Sequence, residues 1–345
     1  MKSMINEMIM ESPPFPECHA STVVELGNGD FLAAWFAGMK EGADNVAVWG
    51  AIRAGGFWKP PTVIAKVNDL PHWNPVLFKD RSDTIHLFFR IGKDPMHWQT
   101  WTIQSADEGR TWSAPAELIP GETEGRGPVK NKCIVLSDGS WLAPASIETD
   151  QWMSFADRSE DGGRTWQKSD FVPVDKKMFD GCTSPGWAPQ NHGVIQPTLW
   201  ESAPGRVHML MRSSCGRICR SDSADFGKTW CEAYKTELPN NNSGIDLTRL
   251  ADGALVLAFN PEGVNWGYRW PMRLSISLDN GSTWRTMFDT DTESNREYSY
   301  PAIIATADGG IALTYTYGRK NIKFVLMNRR DIDMGKNTGG LYGKT

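Results

Sequence analysis

Apolar and polar positions along the chain fall into one recurring phrase: a short apolar run, a turn built on Gly with Asn or Asp, and a second apolar run. Its first occurrence is Ser21–Leu26, Gly27–Asp30 and Phe31–Trp35. It returns as Lys132–Leu136, Ser137–Ser140 and Trp141–Ala143, then as Asp246–Leu250, Ala251–Gly253 and Ala254–Leu257, and last as Ala302–Ile304, Ala307–Gly310 and Ile311–Tyr315. Runs this short with Asx-Gly between them predict β-hairpins, because Gly supplies the positive φ of a tight turn. Two less regular copies, Pro75–Phe78 with Ile85–Phe89 and Thr198–Trp200 with Val207–Met211, bring the phrases to six.

Between the phrases stands a box, Ser-x-Asp-x-Gly-x-Thr-Trp, at Ser105–Trp112, Ser159–Trp166, Ser223–Trp230 and Ser277–Trp284, with Ile52–Trp58 as a worn fifth copy. The box tryptophans sit at 58, 112, 166, 230 and 284, spaced by 54 residues except for one interval of 64. A fixed period of this length predicts a repeat architecture. Asp and Gly flanked by Ser and Thr suit a tight turn, and the Trp offers apolar surface to anchor it. The boxes are therefore read as scaffold. The pattern predicts an all-β fold, a six-bladed β-propeller with four-stranded antiparallel blades and Asp-box turns, as a single domain over 1–345. The last blade, ending Ile322–Met327, has no box, so a chain end is expected to pair with the opposite terminal blade and hide the open edge. The extra length of the long interval falls in the Gly/Pro-rich stretch 180–193, expected near the mouth of the ring either as a solvated connector or as a cover for substrate.

Composition narrows the partners. Sixteen Trp and 33 Gly fit many short strands and turns, and a net charge of −5 without a basic stripe argues against nucleic acid. The six cysteines lack metal-ligand spacing and read as reduced, mostly buried thiols; no metal, nucleotide or flavin is implied. Residues 1–10 lack a long apolar run and carry Glu7, so neither a signal peptide nor a membrane span is expected, and the reading is cytoplasmic.

The box, repeated at this period with Asx-Gly hairpins between copies, resembles the Asp-box (BNR) repeat of the sialidase superfamily, and the resemblance covers nearly the whole chain. It implies an active site at the ring centre, where the first strands of all blades converge. It also implies three arginines for a substrate carboxylate, a Tyr/Glu nucleophile pair and an Asp as acid/base. Arg212 is similar to the second arginine, and one of Arg269 and Arg273 resembles the third. Tyr298-Ser299 is similar to the nucleophile strand, and Asp44 falls where the acid/base Asp sits. The sequence departs from the pattern twice: His19 occupies the position of the first arginine, and Gln196, which cannot take a proton, stands where the activating glutamate belongs.

His19 still offers an anion ligand or a base, its ordinary pKa lying at about 6.5. Lys130, Asn74 and His192 add polar groups at or near inner-strand starts, and together these suit a hydroxylated, anionic carbohydrate. Structural alternatives stand beside each: an ion pair within the ring for Arg212 or Arg273, a turn residue for Asp44, packing for Tyr298. Three functions follow. The first is an exo-glycoside hydrolase releasing a terminal acidic sugar, with Tyr298 as nucleophile, Asp44 as acid/base, and Arg212 and Arg273 (or Arg269) with His19 holding the carboxylate. The second is a uronate-directed lyase in which His19 and Tyr298 transfer the protons. The third is a non-catalytic sugar-binding propeller.

Overall fold

The computed structural model describes residues 4–338. Six antiparallel sheets stand in a ring as the blades of a β-propeller. Their innermost strands are Glu17–Glu25, His72–Lys79, Ile134–Val135, Val194–Ala203, Asp246–Arg249 and Tyr298–Ala305. Each blade has four strands, and blade one gains a short fifth, Thr62–Ala65, on Ala47–Ala54. The ring is closed by the strand Ile5–Met8, which pairs antiparallel with Asn321–Met327 as the outermost strand of blade six. Glu7 on that strand bonds Arg53 of blade one at 2.6 Å, so closure joins two blades at once.

The hydrophobic positions build cores between blades rather than within them. One cluster joins blade one to blade two through Val24, Leu32, Leu77, Leu87 and Phe89. Another joins blades two and three through Val76, Phe88, Trp141 and Trp166. The box tryptophans sit in these seams, Trp166 between blades two and three, Trp230 between three and four, Trp284 between four and five. Each box turn is held by its own Asp. In the third blade Asp161 accepts from the Thr165 hydroxyl at 2.6 Å and amide at 2.9 Å, while Ser159 Oγ donates to Asp161 at 2.9 Å and accepts the Gly163 amide at 2.8 Å. The other three full boxes repeat the Asp–Thr bond at 2.6 Å. Gly163 has φ of 87°, and a Cβ there would lie 2.7 Å from Trp141, so this turn needs glycine for both conformation and space.

Hydrogen bonding thus accounts for the box chemistry as turn-making. All six cysteines are free thiols, but only Cys18, Cys133 and Cys219 are buried; Cys182 and Cys215 are half-buried and Cys231 is exposed, fewer in the core than the sequence led us to expect.

Candidate active site at the ring centre

The upper ends of the innermost strands share one irregularity. Register shifts fall between His19 and Thr22, Trp73 and Val76, Ile195 and Thr198, and Ser299 and Ala302. At each shift one residue is left-handed: Ala20 (φ 55°), Asn74 (38°), Gln196 (49°) and Tyr300 (54°). Such β-bulges re-aim a side chain and are often found beside active sites. In three of the four the next residue is proline, namely Pro75, Pro197 and Pro301, which needs no ladder hydrogen bond and so tolerates the break.

Arg212, at the end of the second strand of blade four, organises the centre. It is buried; its Nη1 donates to Gln196 Oε1 and to the Tyr300 hydroxyl, both at 2.9 Å, and its Nε donates to Asn242 Oδ1 at 3.0 Å. Gln196 in turn donates to Glu148 at 2.9 Å. Burial raises the Glu148 carboxyl above its ordinary value, against the opposing pull of Arg212 and Arg90. His19 is buried, its ring centroid lies 4.2 Å from that of Tyr300, and its Nδ1 has no hydrogen-bond partner. Burial pushes this imidazole well below its ordinary 6.5, and Arg319 pushes the same way, so His19 is neutral at physiological pH.

A second charged group flanks the phenol. Arg269 lies with its guanidinium carbon 5.9 Å from the Tyr300 ring centre and donates to Glu297 at 2.8 Å. Arg319 donates to Glu297 at 2.9 Å and also pairs with Glu41. Burial would raise the Glu297 carboxyl, but the Arg269 and Arg319 guanidiniums outweigh it and hold it well below the carboxylate range. Beneath the ring Lys130 donates to Asn131 at 2.9 Å, to the Ile245 carbonyl at 3.2 Å and to the Pro301 carbonyl, and burial lowers its ammonium to about 7.

The predicted residues therefore divide. His19, Arg212, Gln196, Lys130 and Arg269 converge on the centre, and Asn74 occupies the equivalent bulge of blade two. Tyr298 does not: its side chain is fully buried in the seam between blades five and six, 5.3 Å from the Tyr317 ring, because the bulge at Tyr300 breaks the alternation that would otherwise put both tyrosines on one face. Tyr300 is the tyrosine of the centre. Arg273 is also withdrawn, held by Asp289 of the neighbouring strand at 2.7 Å, so that of the two arginines Arg269 is the one beside Tyr300. Asp44 is exposed, and lines a groove with Lys66 and Asp69 on blade one. His192 is exposed at the foot of the insertion, 3.2 Å from Ser214 Oγ.

Tyr300, Glu148, Glu297 and Arg319 belong to the centre without having been expected there. Two signals pointed to the first two. Tyr300-Pro301 repeats the bulge dipeptide of Asn74-Pro75 and Gln196-Pro197, and Glu148 ends the second strand of blade three just as Arg212 nears the end of that of blade four.

Several known proteins are similar. A sialidase of Bacteroides fragilis (strain YCH46) is 23% identical over 258 residues, 70% of this chain and 44% of its own length. This chain thus spans under half of that relative. The NanB sialidase from Streptococcus pneumoniae superposes with a TM-score of 0.72 at 12% identity, over 94% of this chain and 71% of that one. A crystal structure of a protein of unknown function from Dyadobacter fermentans gives 0.71 at 18% identity, over 94% of this chain and 97% of that one. Identities this low establish the fold alone. The sequence profile of the BNR repeat-like domain matches residues 29–313, the greater part of the sequence, and this chain belongs to that family.

Proposed function

We propose that the chain is a sialidase-like carbohydrate-active enzyme that releases a terminal acidic sugar from a glycan by hydrolysis. The observation that carries this reading is the Tyr300 hydroxyl held 2.9 Å from Arg212 at the ring centre, with Arg269 beside the phenol ring. Arg212 keeps free donor capacity for a sugar carboxylate, and guanidinium geometry suits that group. Negative charge developing on the phenol oxygen meets a fixed cation, which supports Tyr300 as the nucleophile where Gln196 has replaced the usual carboxylate base. His19, neutral and unpaired, is the nearby base. Glu148, with its raised carboxyl, is the group disposed to donate a proton to the leaving oxygen.

One observation favours a second reading. His19 and Tyr300 face one another beside Arg212, and the phenol oxygen accepts its hydrogen bond from that cation. A lyase needs this set: Arg212 neutralises a uronate, His19 removes the C5 proton and Tyr300 protonates the leaving oxygen. The test is an assay against sialosides and against oligosaccharides that carry an internal, 4-O-substituted uronate, following reducing sugar and ultraviolet absorbance together. Hydrolysis releases an acidic sugar without the conjugated double bond, and Tyr300→Phe lowers the rate by on the order of a thousandfold. An absorbing product transfers the assignment to the lyase, and no turnover with either class rejects both.

A further inference from the structure

The turn between the second and third strands of blade four, Arg206–Ser213 and Arg217–Ser223, brings two thiols together outside the ring centre. Cys215 Sγ lies 3.6 Å from Cys219 Sγ, which in turn lies 3.6 Å from Met178 Sδ. Cys219 is buried on its strand, whereas Cys215 is half-buried in the turn, so a reagent in solution meets Cys215 first.

The turn holds this arrangement. Ser213 Oγ accepts the Cys215 amide at 3.2 Å and donates to the Arg217 carbonyl at 2.5 Å. Gly216 is left-handed at φ 76°, its carbonyl accepts the Asn240 amide at 3.1 Å, and a Cβ there would lie 2.7 Å from the Gly263 carbonyl of blade five. A disulfide joins sulfurs about 2 Å apart, so the pair has to close by only about 1.5 Å, a distance within reach of side-chain rotation. The two thiols also differ in acidity. The Cys219 thiol, donating to Cys215, lowers the Cys215 thiol below its ordinary value although burial opposes it; that contact and burial together raise Cys219. A lowered thiol is the one that attacks, and its protonated neighbour is the one that resolves. Cys18 and Cys133 lie at the other extreme, both pushed up by burial.

We propose that Cys215 and Cys219 form a redox-active dithiol, a modification site for low-molecular-weight disulfides of the glutathione class. The Cys215 thiolate attacks one sulfur of the reagent, whose S–S bond breaks and releases a thiolate. Cys219 gives up its proton and attacks Cys215 Sγ of the mixed disulfide, expelling the second thiolate. Two protein thiols are thereby oxidised to one disulfide, the reagent is reduced to two thiols, and the two protein protons end on them. This chemistry is independent of any reaction at the ring centre. It lies close by all the same: the turn begins one residue after Arg212, and Ser214 Oγ accepts the Gly193 amide of the insertion at 3.1 Å.

The test exposes the reduced full chain to oxidised glutathione, alkylates the remaining thiols and digests with trypsin. The expected product is Ser213–Arg217 joined to Ile218–Arg220 through a bond that dithiothreitol reverses. Cys219→Ala should hold glutathione on Cys215 as a mixed disulfide, whereas Cys215→Ala should leave Cys219 unmodified. The rate of Cys215 alkylation should also level off at least about one pH unit lower in the parent chain than in Cys219→Ala, where the donor is gone. Recovery of the two peptides as separate alkylated thiols, a link from Cys215 to Cys182 instead, or the same pH profile in both proteins overturns the proposal. The mapping needs only the parent chain, so a variant that fails to fold does not remove the test.

Discussion

At the scale of single residues, two tyrosines two positions apart have opposite fates. Tyr300 meets Arg212 and His19, whereas Tyr298 is packed against Tyr317 in an interblade seam. Tyr300→Phe should abolish turnover with little change in melting temperature, while Tyr298→Phe should leave the rate near that of the parent protein. Steady-state kinetics beside thermal unfolding checks both, and the opposite pattern would reinstate Tyr298 as the nucleophile. Lys130 shows the same sensitivity to place. Its ammonium links Asn131, Ile245 and Pro301 beneath the phenol, so Lys130→Met leaves three buried oxygens without a donor. The expected loss is roughly 2–4 kcal/mol, measured by urea unfolding. Residue types at the centre were readable from sequence; the side on which each projects was not. A single bulge reverses the alternation of a strand, as it does between Tyr298 and Tyr300.

At the scale of elements, the hairpins were legible because their turns declare themselves. Gly29, Gly139, Gly205, Gly253 and Gly309 occupy the left-handed turn position with φ between 76° and 88°. Blade two lacks the glycine and uses Asp83 at φ 63° instead, which is why its phrase looked irregular. Asp83→Gly should relieve the strain and raise stability by about 0.5–1 kcal/mol, the lost Lys79 pair being exposed and worth little. Chemical denaturation of the single variant settles this, and any destabilisation beyond error would refute it. The insertion 180–193 announced itself by length and composition. Its union with the blade-five loop through Asn265 did not, since no local pattern links residues so far apart.

At the scale of the whole molecule, buried histidines set an acid limit. Burial holds His19 well below 6.5 and His72 at about 4. Between pH 6.5 and 4 the unfolded chain therefore binds protons that the native ring refuses. Their contribution is complete above 6.5 and drains away as pH falls through that window. Asp107 and Asp161, held at about 2 by hydrogen bonds within their boxes, add a second loss below roughly 3.8. Unfolding free energies at pH 7, 5 and 4 should decline accordingly, with a shallower slope in His72→Asn; a flat profile would contradict the burial argument. Closure makes a separate prediction. Deleting residues 4–10 bares the edge of Asn321–Met327 and removes the Glu7–Arg53 pair, so melting temperature should drop and self-association rise. Calorimetry and light scattering would record both. The same joint fixes an order of events during synthesis. Ile5–Met8 leaves the ribosome ahead of every blade, and its partner strand belongs to the last blade to emerge. The ring therefore cannot close before the sixth blade has been made, and Ile5–Met8 must wait, unpaired, until then.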